Sequence, residues 1–128
     1  MKIYKNIPEQ SVLKKSVVSI GSFDGIHLGH QNVINRLKTF SKDDCESVLI
    51  TFHPTPQHFF LKEKFKGYLS SENEKINLIK SLGIDNLCII NFNDSVKNLS
   101  ADFFLKKIVK AFSPKTFIIG YNHSFGKD

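Results

Sequence analysis

The segment GSFDGIHLGH, residues 21–30, combines three glycines with two histidines. It follows a short β-branched run, SVVSI, and precedes a helical pattern, so it forms the turn between a strand and a helix. Glycine permits a tight turn and a close approach of a ligand to the backbone. The free N–H groups and the dipole at a helix N-terminus attract an anion. This turn therefore has the chemistry of a phosphate-binding site.

His27 and His30 are three residues apart, a spacing that brings both imidazoles to one side of a helical turn. Two N–H donors in that position would stabilise charge developing on a phosphate. The pair could instead be half of a zinc site, but no cysteine or carboxylate lies at a suitable local spacing. A purely structural turn is the remaining alternative. We favour phosphate handling.

Strand and helix patterns alternate along the chain. Helices alternating with nearly continuous apolar strands predict βαβ units, and hence an α/β fold with a mostly parallel sheet and helices on both faces. Ligands of such sheets bind beyond the carboxyl ends of the strands, where the turn at residues 21–30 lies. The predicted strands are Ser16–Gly21, Ser47–His53, Asn86–Phe92 and Thr116–Tyr121, with an added edge strand at KIYK. The predicted helices are Gly29–Ser41, a segment that begins at the capping box of Ser71 and Glu74 and ends at Gly83, and Ala101–Phe112. Ser100 is the predicted N-cap of the last helix.

The periodicity also predicts which side chains of the helices face the core, and Cys88 should be a small core residue of its strand. The predicted apolar positions are Leu28, Val33, Ile34, Leu37 and Phe40 in the first helix, Ile76, Leu78, Ile79 and Leu82 in the second, and Phe103, Phe104, Ile108, Val109 and Phe112 in the third.

The composition narrows the class of protein. With 41% hydrophobic and 23% charged residues, the chain has enough apolar surface to fold. No run approaches the ~18 apolar residues of a membrane span, and the N-terminus resembles no secretion signal, so we expect a cytoplasmic protein with two reduced cysteines and no membrane partner. The net charge is +6, but Arg36 is the only arginine and the lysines are dispersed. This pattern argues against nucleic acid as a partner.

Three segments resemble one known family. GSFDGIHLGH is similar to the G-x-F-D-G-x-H-x-G-H signature of the FMN adenylyltransferase module of bacterial bifunctional riboflavin kinase/FAD synthetases, whose H-x-G-H part is shared by the wider nucleotidyltransferase superfamily. TFHPTPQHFF, residues 51–60, resembles the family's T-F-x-P-H-P-x-x-F-F segment, and GYNHSFGKD, residues 120–128, resembles its G-x-D/N-x-x-F-G-x segment. Thr55 stands where the family usually has histidine, and Ser124 where arginine is common.

The resemblance implies a Rossmann-like nucleotidyltransferase fold and the reaction FMN + ATP → FAD + pyrophosphate, with ATP and FMN as small-molecule substrates and Mg²⁺ bridging phosphates. Rival hypotheses are a nucleotide- or flavin-binding fragment without turnover and another H-x-G-H enzyme such as a cytidylyltransferase. Carried over residue by residue, the resemblance implies His27 and His30 as catalytic, Gly21, Ser22, Phe23, Asp24 and Gly29 as nucleotide-binding, and His53, Pro54, Thr55, Pro56 and Asn122 as flavin-binding.

The family has a second phosphate-binding segment, I-S-S-T-x-I-R, and a riboflavin kinase barrel, and neither occurs within these 128 residues. We therefore expect residues 1–128 to form a single FMN adenylyltransferase-like domain that is incomplete at its C-terminus, without the kinase domain. On its own the chain should bind adenine nucleotide or flavin weakly and make little FAD. A sheet edge near TFIIGY, residues 116–121, should be exposed and should favour self-association.

Overall fold

The computed structural model of the chain describes residues 1–21, 28–42, 44–53, 72–91 and 98–118, with the backbone alone for residues 28–30. Every predicted strand and helix in these ranges is present, and β5 begins earlier than the predicted Thr116. The strands are β1 (Lys2–Lys5), β2 (Ser16–Ile20), β3 (Glu46–Phe52), β4 (Asn86–Ile90) and β5 (Pro114–Ile118), and the helices are α1 (Leu28–Phe40), α2 (Glu72–Ser81) and α3 (Ala101–Phe112).

The five strands form one sheet in the order β1-β4-β3-β2-β5. Every neighbouring pair is parallel. Parallel neighbours need long crossover connections, which the helices provide. The N-terminal KIYK segment is an edge strand, as predicted, and the structure pairs it with β4, while β5 is the strand at the opposite edge. The parallel α/β prediction is confirmed.

The helices cover both faces of the sheet, also as predicted. Successive residues of a strand face opposite sides, so Val17 and Val18 of β2 belong to different apolar clusters. One cluster packs α1 and α2 against the sheet through Val33, Ile34, Leu37 and Ile79. The other packs α3 through Phe104, Ile108, Ala111 and Phe112, and it contains the fully buried Cys88.

Four predicted core positions are wrong. Phe103 and Val109 of α3 are 50% and 52% exposed. The sheet buries only one stripe of α3, and Phe103 lies one residue, about 100° around the helix axis, from the buried Phe104. Leu78 is exposed for the same reason, since it lies one residue from the buried Ile79 of α2. Phe40 differs, because it lies on the same face as the buried Val33 and Leu37 and is exposed as the last residue of α1. Apolar periodicity therefore overestimates the width of the buried face in α2 and α3, and its length in α1.

The ends of the helices follow local chemistry. The Ser100 hydroxyl accepts a hydrogen bond from the Phe103 N–H at 3.2 Å, which confirms the predicted N-cap of α3. Ser113 ends that helix with φ at +48°, and its N–H donates to the Val109 carbonyl. Gly83 has φ +85° just after α2, the left-handed conformation that favours glycine. The Ser71 part of the predicted capping box lies outside the described residues.

Among the described residues, no helix is long and apolar enough to cross a membrane.

Candidate active site

The order in which strands are added to the sheet reverses between β2 and β5. From β2 the chain moves through β3 to β4 on one side, and it then crosses back through α3 to place β5 on the other side of β2. At such a switch point two neighbouring strands send their following loops in opposite directions, which opens a crevice at their carboxyl ends. The chain that follows β2 is the glycine- and histidine-containing turn, and the chain that follows β5 is residues 119–128. Two of the three sequence motifs therefore follow adjacent strands.

The carboxyl ends of β2 and β5 are tied together by a buried side chain. Ser19 is paired with Ile118 across the two strands, and its hydroxyl donates to the Ile118 carbonyl at 2.7 Å. Gly21, a predicted nucleotide-binding residue, donates its N–H to the Ile50 carbonyl of β3 at 2.9 Å. The start of the turn is thus fixed against both neighbouring strands.

Helix α1 begins at the carboxyl end of β2, so the predicted site residues Gly29 and His30 lie in its first turn. That turn contains no acidic residue. The N-terminal N–H groups of a helix have no partner within the helix, and with the helix dipole they favour an anion. The backbone of α1 thus has the geometry that the phosphate-binding prediction requires.

His53, predicted to bind flavin, follows β3 directly. Its backbone N–H donates to the Ile90 carbonyl at the end of β4, at 2.9 Å. This bond continues the β3–β4 ladder by one residue, and it places His53 at the carboxyl edge. Its side chain is partly buried, with 32% of its surface exposed.

The side chain of His53 lies near an ion pair. The Glu72 carboxylate, at the start of α2, approaches His53 Nε2 at 3.9 Å through Oε2 and Lys5 Nζ at 3.4 Å through Oε1. Lys5 is the last residue of β1. The ends of β1 and β3 and the beginning of α2 therefore meet in one charged cluster, which we call the Lys5–Glu72–His53 cluster.

A pair of asparagines closes the neighbouring part of the edge. Asn6 has φ +71°, and its side-chain Oδ1 accepts from the Asn91 N–H at 3.0 Å. Its backbone N–H donates to the Ile89 carbonyl at 2.7 Å. Asparagine tolerates the left-handed conformation better than most residues, which allows the chain to leave β1 while remaining bonded to β4.

The structure thus brings two predicted site residues, Gly21 and His53, to the carboxyl edge of one sheet, together with the backbone of Gly29 and His30. The other predicted residues lie outside the described residues, and these are Ser22, Phe23, Asp24, His27, Pro54, Thr55, Pro56 and Asn122.

The sequence patterns do not predict Glu72 or Lys75 as site residues. Glu72 reaches His53 across 18 intervening residues, a contact that no local pattern encodes. Lys75 is 3% exposed and lies one turn further along α2, on the side of the buried Ile79. Its i, i+4 spacing from Ile79 is the pattern that could have predicted its burial.

The described residues contain no group of three or more histidine, cysteine, aspartate or glutamate side chains that could hold a metal ion. Burial raises the pKa of the Cys88 thiol from 9.0 to about 12. Cys88 therefore stays protonated at neutral pH and is neither a nucleophile nor a metal ligand in this state.

This strand order and the position of the helix start define the class of protein. The order β4-β3-β2-β5 is that of a doubly wound nucleotide-binding sheet, with the start of α1 at its switch point. The fold is a Rossmann-like nucleotidyltransferase fold. A match of residues 9–128 to the family model for FAD synthetase shows that the chain belongs to the FAD synthetase family.

Individual relatives agree with this family. The chain is 38% identical over 129 residues to the bifunctional riboflavin kinase/FMN adenylyltransferase of Buchnera aphidicola subsp. Schizaphis graminum, covering 98% of this chain and 41% of the relative. It is 33% identical to the Bacillus subtilis protein of the same name, covering 88% of this chain and 36% of that protein. The chain thus spans about two fifths of the length of these curated relatives.

A solved structure named a macrolide-efflux protein, from Streptococcus pneumoniae, has the same fold. It superimposes with a TM-score of 0.82 at 25% sequence identity, over 98% of this chain and 43% of that one. The likeness covers nearly the whole chain and agrees with the α/β architecture described above.

Proposed function

We propose that this chain provides the FMN adenylyltransferase activity of its family, transferring AMP from ATP to FMN to give FAD and pyrophosphate. The observation that supports this most strongly is the adjacency of β2 and β5 at the switch point of the sheet. The segments resembling the family's first and third motifs follow these two strands in sequence. One crevice would therefore be formed by both motifs, as a reaction between two bound phosphate compounds requires.

The transfer needs no covalent group from the protein. An FMN phosphate oxygen attacks the α-phosphorus of ATP in line, the bond to the β-phosphate oxygen breaks, and pyrophosphate leaves. The contribution of the chain is positioning and charge stabilisation. In this proposal His27 and His30 donate N–H groups to the phosphates, and the start of α1 adds its dipole. Gly29 allows the adenine to approach the backbone, beside a wall formed by Gly21, Ser22 and Phe23.

Mg²⁺ fits this proposal as an ion that arrives with ATP. The described residues offer no metal-binding cluster, and Mg²⁺ in phosphoryl transfer is commonly held by substrate phosphates, waters and only one or two carboxylates. When bound, it neutralises phosphate charge. Asp24 is the acidic residue of the turn. It would either cap the helix or contact flavin or a metal-bound water.

The flavin would lie beyond β3. Pro54 and Pro56 would form a rigid wall for the ring, with His53 and Thr55 beside it, and Asn122 would offer an amide from the segment after β5. Thr55 replaces the family's usual histidine, which would alter the affinity for flavin. His53 is the described member of this group, at the carboxyl edge next to β4.

We also propose that ATP and FMN are the partners, that nucleic acid is not, and that the chain works in the cytoplasm as a single FMN adenylyltransferase-like domain. Both cysteines are free and buried, which is compatible with a reducing compartment.

Edge strand β5 pairs only with β2 among the described strands. Self-association through β5 would appear as a concentration-dependent mass in sedimentation.

The proposal is tested by binding and by turnover. The 128-residue chain is titrated with ATP and with FMN, using CTP and riboflavin as controls for the nucleotide and for the phosphate. Turnover is followed by chromatography of FAD, both in the chain and in an extended chain, made by joining it to the remainder of the Buchnera aphidicola relative. We expect weak binding of ATP and FMN by the chain, and FAD formation by the extended chain. A preference for CTP, or an extended chain that folds without forming FAD, would contradict the proposal.

A further inference from the structure

The Lys5–Glu72–His53 cluster joins three elements that are distant in sequence. Lys5 ends β1, His53 follows β3, and Glu72 begins α2. Glu72 lies between the other two, since one carboxylate oxygen is 3.4 Å from Lys5 Nζ and the other is 3.9 Å from His53 Nε2. Only the folded chain brings these groups together, and they lie at the end of the sheet where the ligand crevice opens.

His53 has a fixed backbone, because its N–H is bonded to the Ile90 carbonyl. A fixed backbone does not by itself fix a side chain, which can occupy several staggered rotamers. A carboxylate near Nε2 attracts either the N–H of the neutral ring or the imidazolium, and it favours the rotamer that brings them together. The backbone of Glu72 is itself held by its place in the first turn of α2.

We propose that Glu72 is a positioning residue that fixes the ring of His53 for flavin binding. This inference rests on the proposed function, since it takes His53 as part of the flavin side. A ring held in its bound orientation before the ligand arrives loses less conformational entropy on binding. Glu72 would thus raise the affinity for FMN without touching it.

A structural role for Glu72 makes a different prediction. If Glu72 served only to hold α2 against β1 through Lys5, then Lys5→Met would have the same effect as Glu72→Gln. If Glu72 acts through His53, Lys5→Met leaves FMN binding nearly unchanged. Asp102→Asn is the matched control, because it also removes a carboxylate paired with a lysine, Lys106 at 3.2 Å.

The first experiment measures the orientation of His53 in the chain without ligand. Three-bond couplings to Cγ, measured by NMR, report the χ1 rotamer populations of the histidine. We expect one dominant rotamer in the wild type, in K5M and in D102N, and a lower population of that rotamer in E72Q. An averaged rotamer in the wild type, or an unchanged single rotamer in E72Q, overturns the proposal.

The second experiment measures FMN affinity by quenching of flavin fluorescence. We expect E72Q to raise the FMN Kd about threefold to tenfold. E72D keeps the carboxylate and should raise the FMN Kd less than E72Q does. In an H53A background, E72Q should have no further effect, since the residue through which it acts is gone. Equal effects of E72Q with and without His53, or a K5M effect as large as that of E72Q, would show that Glu72 does not act through His53. The melting temperature of each variant verifies that it is folded.

The two experiments separate this inference from the proposed function. If the wild-type chain shows one His53 rotamer but does not bind FMN, the proposed function is contradicted and Glu72 cannot act on flavin binding. The rotamer comparison then still decides whether Glu72 orients His53. A wild-type chain that binds FMN with unchanged affinity in H53A and E72Q supports the function and overturns the inference.

Discussion

The two ends of the sheet both contain polar clusters, but they use their polar groups differently. At the amino end, Ser47 and Asp85 are joined by three hydrogen bonds. Asp85 Oδ2 accepts from the Ser47 N–H at 2.9 Å and from its hydroxyl at 3.2 Å, and that hydroxyl accepts from the Asp85 N–H at 2.8 Å. The buried Asn86 side chain donates to the Ser47 carbonyl and to Glu46, both at 3.1 Å. This cluster is closed on itself and holds β3 against β4.

The carboxyl end is more open. Lys5, Glu72 and His53 keep 63%, 32% and 32% of their side-chain surface exposed, and their separations of 3.4 and 3.9 Å exceed those of a short hydrogen bond. Exposed pairs of this kind contribute little to stability. A polar cluster whose groups satisfy one another serves the fold, whereas one that remains within reach of solvent at a sheet's carboxyl edge is suited to a ligand.

The largest expected effect is at the carboxyl end, on His30. Replacing His30 by alanine in the extended chain should reduce adenylyl transfer by about 2–4 kcal/mol, or roughly 30- to 1,000-fold, the usual result of losing one donor to a developing phosphate charge. ATP binding should weaken less, because the donor acts mainly in the transition state. The rate of FAD formation and the Kd for ATP measure the two effects.

Gln31→Ala is the control for that variant, because Gln31 is the exposed next residue of α1. It should turn over at nearly the wild-type rate. Unchanged turnover in H30A would remove His30 from the proposed site.

The second prediction concerns Cys88, in the buried middle of β4 between the two ends. Its pKa is raised from 9.0 to about 12 by burial, so the native state keeps the thiol proton that the unfolded chain releases above pH 9. The stability this contributes is complete below pH 9 and is lost progressively between pH 9 and 12, at roughly 1.4 kcal/mol per pH unit.

Urea unfolding at several pH values tests this prediction. The difference in the free energy of unfolding between the wild type and Cys88→Ala should shrink by about 2 kcal/mol from pH 8 to pH 10.5. A constant difference over that range would mean that Cys88 is not buried as described.

The third prediction breaks the closed cluster at the amino end. Ser47→Ala removes the hydroxyl that bonds twice with Asp85 and leaves part of the cluster unpaired. The free energy of unfolding should fall by about 1–2 kcal/mol, while FMN and ATP affinities stay within error. A loss of ligand affinity in a folded variant would show that the two ends of the sheet are not functionally separate.

The smallest effect on the free energy of unfolding is expected on α3, for an exposed ion pair that belongs to neither cluster. Asp102 and Lys106 form an i, i+4 pair whose side chains are more than three quarters exposed. Asp102→Asn should change the free energy of unfolding by less than about 0.5 kcal/mol, and less still at high salt. A change above 1 kcal/mol in urea unfolding would show that exposed pairs matter more in this chain than the comparison assumes.

The sequence predicts the local features of the fold well. Ser100 caps α3 because a side-chain oxygen three residues from a backbone N–H is a local arrangement. The apolar run around Cys88 predicts a buried strand because both faces of the sheet are covered. The type of each element in the described ranges follows from such patterns.

Long-range arrangements are harder to predict. The pairing of β1 with β4, and the meeting of Glu72 with His53, depend on tertiary packing that no local spacing encodes. Phe103 is exposed although its spacing fits an apolar stripe, because the sheet covers a narrower face of α3 than the hydrophobic residues occupy. The turn at residues 21–30 is the exception, since its residue types point to a ligand directly.

We expect ligands to bind at the carboxyl end of the sheet and the amino end to serve stability alone. An NMR titration of the labelled chain with ATP and then FMN tests this expectation. We expect shifts in the amide resonances of Gly21, His53 and Asn91, at the carboxyl end. The amides of Ser47 and Asn86, at the amino end, should stay in place. Shifts confined to the amino end, or no shifts at millimolar ligand, would contradict the account.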